Sequence, residues 1–333
     1  MPMSVSKTAA IVHSDVGPYA PADEMDILTE AQTVAEALHS LGYTVVHVPF
    51  HADISRVIEQ LKKIKPVFIF NLAESIRGSS HMVHLPILLF EYLDIPFTGS
   101  GSDAMLLTSN KVICKQLLSF HNIPTPPWQS VTSIIDDGLG LKAPFIIKPV
   151  NEDASVDITD TSVFHEKKDL LKKIDTIAPE RKKNYFVERF MNGREFNISL
   201  ISNGKEVDVL PPAEILFKDY PPDKPKIVGY DAKWKTDSFE YSHTPRTFKF
   251  TRDDDALLRG MMSTSKRCWD AFGLKGYVRV DFRTDSEQNP WVLEVNANPC
   301  ISPDSGFVAA CKNAGIKPYA ETIRRITNCA LGE

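Results

Sequence analysis

The sequence predicts an α/β chain, with an open parallel sheet at its N-terminal end and a mixed α+β arrangement further on. Three observations carry that reading. The first seventy residues alternate short β-type apolar runs with helical spacing. A period-two hairpin bearing acidic residues lies near the C-terminus. The composition, 43% hydrophobic and 24% charged over 333 residues, is that of a globular chain of two or three domains at roughly 150 residues each. The net charge of -5 gives no reason to expect nucleic acid or an anionic membrane as partner. Five scattered cysteines with no CxxC pair argue against a zinc site or a disulfide framework. The opening MPMSVSKTAAIVHSDV lacks a signal-peptide core, and no apolar run approaches the ~20 residues of a membrane span. A cytoplasmic protein is expected.

Thr8–His13 reads as the first strand, and residues 14–21 as a loop rich in Gly, Pro and Asp. From Ile27, the residues Leu28, Ala31, Val34, Ala35, Leu38 and Leu41 recur at helical spacing, and Gly42 is placed to end the helix. Tyr43–Val48 is the next strand, Ile54–Ile64 a helix and Val67–Phe70 a buried strand. Ligands of such parallel sheets gather at the carboxyl ends of the strands. The loops 13–22 and 71–80 therefore lie near any substrate, with Glu24, Asp26 and Glu74 as candidates against a background of ordinary solvated acids. Leu85–Leu93 fits a helix that carries His84 of the HMVH run at its edge; with no third ligand near His81 and His84, a metal reading fails. Ile95–Ser100 reads as a strand running into a glycine turn. Ser109 and Asn110 are placed to cap a helix that begins at Lys111 and ends by Asn122.

Pro144–Pro149 is a strand that ends in Lys148, a position costly for a lysine unless an anion pairs with it. Tyr185–Val187 leads to Glu188-Arg189-Phe190-Met191 and the pair Asn192-Gly193, which a simple hairpin would also explain. Phe196–Ser202 and Glu206–Leu210 look like paired strands. The span 211–225 reads as loop and Asp253–Phe272 as an amphipathic helix with acids at its positive end. Gly306–Ala314 and Pro318–Cys329 close the chain as helices.

Between them lies the hairpin, GYVRVDFRTDSEQNPWVLEVNANPCISPDSG over 276–306. Alternation puts Tyr277, Arg279 and Asp281 on one face of its first strand, and Val292, Glu294 and Asn296 on one face of its second. Asp281, Glu294 and Asn296 then form a set of hard oxygen donors with Arg279 beside them, suited to magnesium and a nucleotide phosphate. A surface hairpin with solvated charges is the plainer alternative.

Arg279-Val280-Asp281, Leu293-Glu294-Val295-Asn296, Asn298-Pro299 and 302–307 (SPDSGF) resemble the ATP-grasp superfamily, and within it the D-alanine–D-alanine ligase-like proteins. The resemblance extends from about Phe70 to the C-terminus. It implies a three-domain architecture, divided here as 1–109, 110–195 and 196–333. It also implies a ligase that uses ATP and magnesium, with manganese as a substitute, to join a small carboxylic acid to an amino acid. On this resemblance Lys111 and Lys148 are phosphate ligands, Ser155 belongs to the lid, Glu188, Arg189, Phe190 and Met191 form the adenine hinge, and Glu195 takes the ribose. Lys233 reaches the terminal phosphate, Arg279 steadies the oxyanion, Asp281, Glu294 and Asn296 bind the metal, and Ser305 holds the second substrate's carboxylate. A homodimer through the first domain is a further implication.

The departures concern the first substrate. Relatives carry a Gly/Ser-rich lid whose bare N–H groups cradle phosphate, whereas here the run is Glu152-Asp153-Ala154-Ser155-Val156-Asp157, with acids at usual glycine positions and Ala154 at a usual serine. Trp234 stands where a tyrosine latches that serine, and the acid that binds the first D-alanine has no clear counterpart near Met25; separately, Cys300 replaces a glycine whose N–H helps to stabilise the oxyanion in relatives. Cys300 itself reads as a buried, unreactive thiol. These departures favour a first substrate other than D-alanine, as in natural-product amino-acid ligation. A cell-wall D-alanine–D-alanine ligase and a non-catalytic nucleotide-binding protein are the alternatives.

Overall fold

The computed structural model describes residues 7–17, 19–152, 155–204 and 206–332. Its first unit is built from β1 (Thr8–Ser14), α1 (Ala22–Ser40), β2 (Thr44–Phe50), α2 (Ile54–Ile64) and β3 (Phe68–Leu72), with parallel strands in the order β2-β1-β3. β1 and β3 are buried along nearly their whole length, which is why both read as apolar runs without alternation. Asp53 caps α2 by accepting from the Ser55 N–H at 3.2 Å. Next come α3 (His84–Tyr92), α4 (Ser102–Ser109) and α5 (Lys111–Phe120). The strand expected at 95–100 is reduced to one parallel bridge, Ile69 to Phe97, and α4 fills a stretch that the glycines mark as turn. The Glu91 carboxylate supplies what the local sequence lacks, since the Ser102 N–H donates to Oε1 at 2.9 Å.

β4 (Trp128–Ser130), α6 (Val131–Asp137), β5 (Phe145–Pro149), β6 (Val163–Phe164), α7 (Lys167–Thr176) and β7 (Tyr185–Arg189) follow. Their strands form an antiparallel sheet ordered β4-β7-β5-β6, with its own core of Val131, Ile134, Phe145, Ile147, Leu170, Ile174 and Val187. The remainder is β8 (Glu195–Ser202), β9 (Val207–Val209), β10 (Ala213–Ile215), α8 (Tyr230–Trp234), α9 (Phe239–His243), β11 (Arg246–Thr247), α10 (Asp255–Ala271), β12 (Tyr277–Thr284), β13 (Pro290–Asn296), α11 (Gly306–Asn313) and α12 (Tyr319–Leu331). Its antiparallel sheet runs β11-β10-β8-β12-β13, with β9 on β8. The span expected to be loop from 211 thus contains a short strand, β10.

Asn192 and Gly193 do not close a hairpin. β7 and β8 belong to different sheets, and the turn between them is pinned to β12 by Gly193 N–H to Thr284 O at 2.9 Å and Arg194 N–H to Thr284 Oγ1 at 2.9 Å. Two further cores tie the first sheet to the last. One joins Ala10, Val12 and Ile69 to Phe196, Val278, Val280 and Val295; the other joins Ile11, Ala31 and Phe68 to Tyr277, Phe307 and Ile323. Among the described residues no helix is long and apolar enough to cross a membrane.

A Cβ on Gly193 would lie 2.2 Å from Thr284 Oγ1 and 2.4 Å from Thr284 O, whereas one on the exposed Gly260 of α10 meets nothing within 4 Å. Gly193→Ala is therefore expected to lower stability by about 2–3 kcal/mol through overpacking. Gly260→Ala should raise it by about 1 kcal/mol through helix propensity. Urea unfolding midpoints measure both, and equal midpoints would contradict the packing argument.

Candidate active site

The site grows from one face of the larger antiparallel sheet. On β12, Arg279, Asp281 and Arg283 point the same way, and their partners on β8 are Ser199, Asn197 and Glu195. On β13, Asn296 faces Arg279 and Glu294 faces Asp281. A β-bulge at Leu293 changes the expected alternation. Phe282 pairs with Val292 while Asp281 pairs with Glu294, so Val292 turns into the core with Val295 and Glu294 stays on the site face. Bulges re-aim side chains in this way. Asp281 Oδ1 accepts from Arg279 Nε and Asn197 Nδ2, both at 2.7 Å. Oδ2 accepts from Arg279 Nη2 at 2.7 Å and Asn296 Nδ2 at 3.1 Å. The fork-to-carboxylate pairing fixes both groups, and the adjacent Asp281 carboxylate holds the buried Arg279 guanidinium fully charged against the cost of burial.

Lysines surround this face. Asn110 caps α5 by accepting from the Val112 and Ile113 N–H groups at 3.1 and 3.0 Å. That cap fixes Lys111, whose Nζ donates to the Glu152 carbonyl at 2.6 Å and lies 3.8 Å from Glu294 Oε2. Lys148, at the end of β5, is 2.5 Å from Glu188 Oε1, and Lys115 is 2.6 Å from Glu188 Oε2. The anion that Lys148 requires is thus supplied from within the chain. Lys233 on α8 lies within the field of Arg279, Glu294, Asp281 and Glu195; burial, and Arg279 after it, hold its pKa down. Burial alone would raise the Glu294 carboxyl, but Lys111, Lys233, Arg279 and Lys148 outweigh it and bring the pKa down to about 2. Two unit charges 4 Å apart gain about 4 kcal/mol at an effective dielectric constant near 20, so several cations together overcome the desolvation. Glu188 behaves alike: burial opposes its charge, and Lys115 and Lys148 lower its pKa nevertheless.

In the 188–191 run, the N–H groups of Arg189 and Phe190 are bonded to the Pro127 and Pro144 carbonyls at 2.9 and 2.8 Å, and Met191 is buried. Glu195 lies 3.7 Å from Arg283, with its pKa raised by burial against the pull of Arg283. The Arg283 guanidinium packs on the rings of Phe190 and Phe217 at 5.0 and 5.4 Å and bonds to the Lys226 carbonyl. Its Nε and the Ser199 hydroxyl are buried on this face without a hydrogen-bond partner, which is expected of a cleft built for a ligand. The lid positions Asp153 and Ala154 lie outside the described residues. Ser155 and Asp157 adopt positive φ of 63° and 60°, the backbone region that glycine favours and aspartate tolerates. Ser155 Oγ donates to the Val228 carbonyl at 2.8 Å, and the Tyr230 N–H donates to the Ile158 carbonyl at 3.1 Å. Asp157 accepts from the Tyr185 hydroxyl at 3.1 Å. The 155–158 and 224–230 segments are thereby joined, with Lys224 bridging Asp160 and Glu240.

A second corner forms where β1 and β3 end. Ser14 Oγ accepts from the Glu74 and Ser75 N–H groups at 3.0 and 2.9 Å, which holds the 71–80 loop in place. Glu74 acts on Tyr277 and Cys300, whereas Glu24 lies against the Gly78 turn. Asp26, Glu30 and Cys300 bring their ligand atoms within 4.8 Å of one another. Glu30 accepts from the Ile301 N–H at 2.8 Å, and burial raises its pKa to about 7. Burial also raises Asp26, aided by Asp304, and pushes the Cys300 thiol up, so an inert protonated thiol fits. Ser305 caps α11 through its accepting lone pair, Val308 N–H to Oγ at 3.3 Å, and so keeps its hydroxyl proton to donate. Sequence reasoning missed Lys115, Asn197, Arg283 and Glu30. The signal for two of them was available: Glu30 shares the apolar stripe of Ile27, Ala31 and Val34, and Lys115 that of Cys114 and Leu118. A groove of about 670 Å³ lined by Asp208, Arg259, Lys266 and Arg325, among others, lies away from this chemistry.

Two carboxylates and an amide are a hard-oxygen donor set, and Glu294 stays ionised with acceptor capacity to spare, so the residues present fit a divalent cation such as magnesium. A cation-rich face with a carboxylate pair, lying beside a separate antiparallel sheet, is the arrangement expected of an ATP-grasp carboxylate–amine ligase. The chain belongs to the D-alanine–D-alanine ligase family: residues 121–328 match the family model described as D-ala D-ala ligase C-terminus. It is 30% identical over 316 residues to a D-alanine–D-alanine ligase of Carboxydothermus hydrogenoformans, covering 91% of this chain and 93% of that one. It is 28% identical over 305 residues to the uncharacterized protein y4sG of Sinorhizobium fredii, covering 90% and 87%. The fold matches the ATP-complexed D-alanine–D-alanine ligase of Bacillus anthracis with a TM-score of 0.74 at 20% identity, over 98% of each chain. It matches the VanG D-Ala:D-Ser ligase of Enterococcus faecalis with a TM-score of 0.70 at 18% identity, over 98% of this chain and 99% of that one. The protein is accordingly an ATP-dependent, amide-forming ligase of this family that acts on small molecules.

The folded protein holds the Glu30 proton more tightly than the unfolded chain does. Its contribution to stability is complete below about pH 4.5 and is lost as the pH rises through about 7. Glu30→Gln, neutral at every pH, is expected to match the parent near pH 4.5 and to exceed it at pH 8 by about 1–3 kcal/mol. Thermal melts at the two pH values read this out, and parallel losses in both proteins would refute it.

Proposed function

We propose that this protein activates a carboxylic acid other than D-alanine as an acyl phosphate and couples it to an amino acid, as in natural-product amino-acid or peptide ligation. The observation that carries the chemistry is the charged face around Glu294: Lys111 Nζ lies 3.8 Å from its Oε2, and Asp281, paired with Arg279, stands opposite it on β12. In the first step a carboxylate oxygen attacks the γ-phosphorus of ATP and the bond to ADP breaks. In the second, the amine attacks the acyl carbon, loses a proton, and the bond to phosphate breaks. Lys111, Lys148 and Lys233 spread charge over the transferring group. Arg279, oriented by Asp281, faces the oxyanion of the tetrahedral intermediate.

Glu195 accepts from the ribose hydroxyls, and the hinge of Glu188, Arg189, Phe190 and Met191 borders the purine. Because the Arg189 and Phe190 N–H groups are already bonded, the backbone groups of Glu188 and Met191 are left to read its edge, while the Glu188 carboxylate stays on the lysines. Asp281, Glu294 and Asn296 would hold magnesium or manganese, which supplies charge neutralisation on the phosphates. Ser305 donates to the carboxylate of the amine substrate. Ser155 joins the lid to the 224–230 segment, which keeps water from the acyl phosphate.

Support for a first substrate other than D-alanine comes from the corner at Cys300. Glu74 acts on it, but Glu30, the deeply buried carboxyl at its centre, is held toward neutrality by burial, its pKa raised to about 7. That is a poor clamp for a small ammonium group.

Glu294→Ala should reduce amino-acid-dependent ADP release by at least about 100-fold with the fold intact; unchanged turnover would sink the site assignment. Offered ATP, magnesium and a panel of acids and amines, the protein should favour pairs other than two D-alanines. Robust D-alanyl-D-alanine synthesis would overturn the substrate reading and return the chain to cell-wall chemistry.

A further inference from the structure

α5 carries a second lysine toward the site. Lys115 follows Lys111 by one helical turn and so shares its face. Its side chain is 1% exposed, against 14% for Lys148, with the Glu188 carboxylate between them at 2.6 and 2.5 Å. Lys148 is the ammonium that faces the cleft, and Lys115 stands behind it. Lys115 Nζ also donates to Thr125 Oγ1 at 2.8 Å, and that hydroxyl donates to the Val292 carbonyl at 2.9 Å. Val292 adjoins the bulge that aims Glu294. The chain therefore buries a complete cation where an apolar side chain would cost less desolvation, and places it on the one carboxylate that also holds Lys148.

We propose that Lys115 is a positioning residue for the triphosphate subsite: by sharing Glu188 it keeps Lys148 only partly neutralised, with charge and N–H donors left for the phosphate oxygens of a nucleoside triphosphate. The inference rests on the reading of Lys148 as a phosphate ligand. Without Lys115, Lys148 is the one cation left in an ion pair with the buried Glu188 among the described residues, and Glu188 draws it away from the nucleotide. The cleft also loses a positive charge. Both effects weaken phosphate binding and leave the nucleoside contacts alone, whereas a merely structural lysine would loosen hinge and phosphate subsite together.

Calorimetry on the full chain with magnesium and a non-hydrolysable ATP analogue, and separately with adenosine, tests this without knowledge of the acid or amine. Lys115→Met, similar in shape but uncharged, should weaken the analogue at least about tenfold and change adenosine by less than about twofold. The double variant Lys115→Met/Glu188→Gln, which removes the buried charge as well, should restore the analogue to within about threefold of the parent. Thr125→Val, which cuts the link to β13 but keeps the charge, should stay within about twofold. The proposal is overturned if Lys115→Met binds the analogue like the parent, loses adenosine equally, or gains nothing from Glu188→Gln. Should Lys115→Met fail to fold, the double variant decides, with weak analogue binding counting against. Lys148→Met is the control on the underlying reading. If that variant binds the analogue normally, Lys148 is no phosphate ligand and the proposal falls with it, an outcome distinct from failure at Lys115 alone.

Discussion

Asp281 is the group on which the rest of the site depends. Its two oxygens accept from both arms of Arg279, from Asn197 and from Asn296, so three adjacent strands meet at one carboxylate. The pairing is local on β12 but long-range through β8 and β13, and it exists only because the β8-β12-β13 register is correct. A slip of one residue would turn every one of these side chains to the opposite face. Around that anchor the charges alternate: Lys111 and Lys233 border Glu294, Lys148 and Lys115 border Glu188, and Arg283 borders Glu195. Desolvation penalises each of these groups, and mutual attraction in a medium of lowered dielectric constant offsets the penalty.

Much of this was legible before any coordinates. The βαβ start, the Asn110 cap ahead of Lys111, the strand that ends at Lys148 and the acidic hairpin all follow from period, capping chemistry and the cost of a buried lysine. What period two could not give was the bulge at Leu293. A strict alternation would have sent Val292 to the site, and the core claims it because Phe282 needs an apolar partner across the strand. Lys115 and Glu30 were visible only as charged residues on an apolar stripe, without a role, for a related reason. Each occupies a position that helical spacing assigns to the core, and only tertiary partners, Glu188 in one case and the Ile301 N–H in the other, explain a charge-bearing residue there. The helix α4 was hidden because its cap is Glu91, eleven residues upstream.

The 155–158 segment shows how side chains can do what glycine would otherwise do. Ser155 and Asp157 hold backbone angles for which glycine is the easy choice, and aspartate reaches them at modest cost because its short polar side chain bonds locally. Here that side chain finds the Tyr185 hydroxyl. Asp157 thus holds a backbone conformation that glycine would adopt freely, and side chains such as Ser155 and Lys224 tie this stretch to the 224–230 segment.

The helix α12 packs along α1, and Ile323 and Ile326 share a core with Ala9, Ile11 and Ala31. Strands β1 and β3 are therefore covered in part by a helix far along the sequence, so contacts of long sequence separation complete this core. Until α12 docks, the apolar runs of β1 and β3 lack part of their cover, and uncovered strands of this kind are prone to wrong pairing.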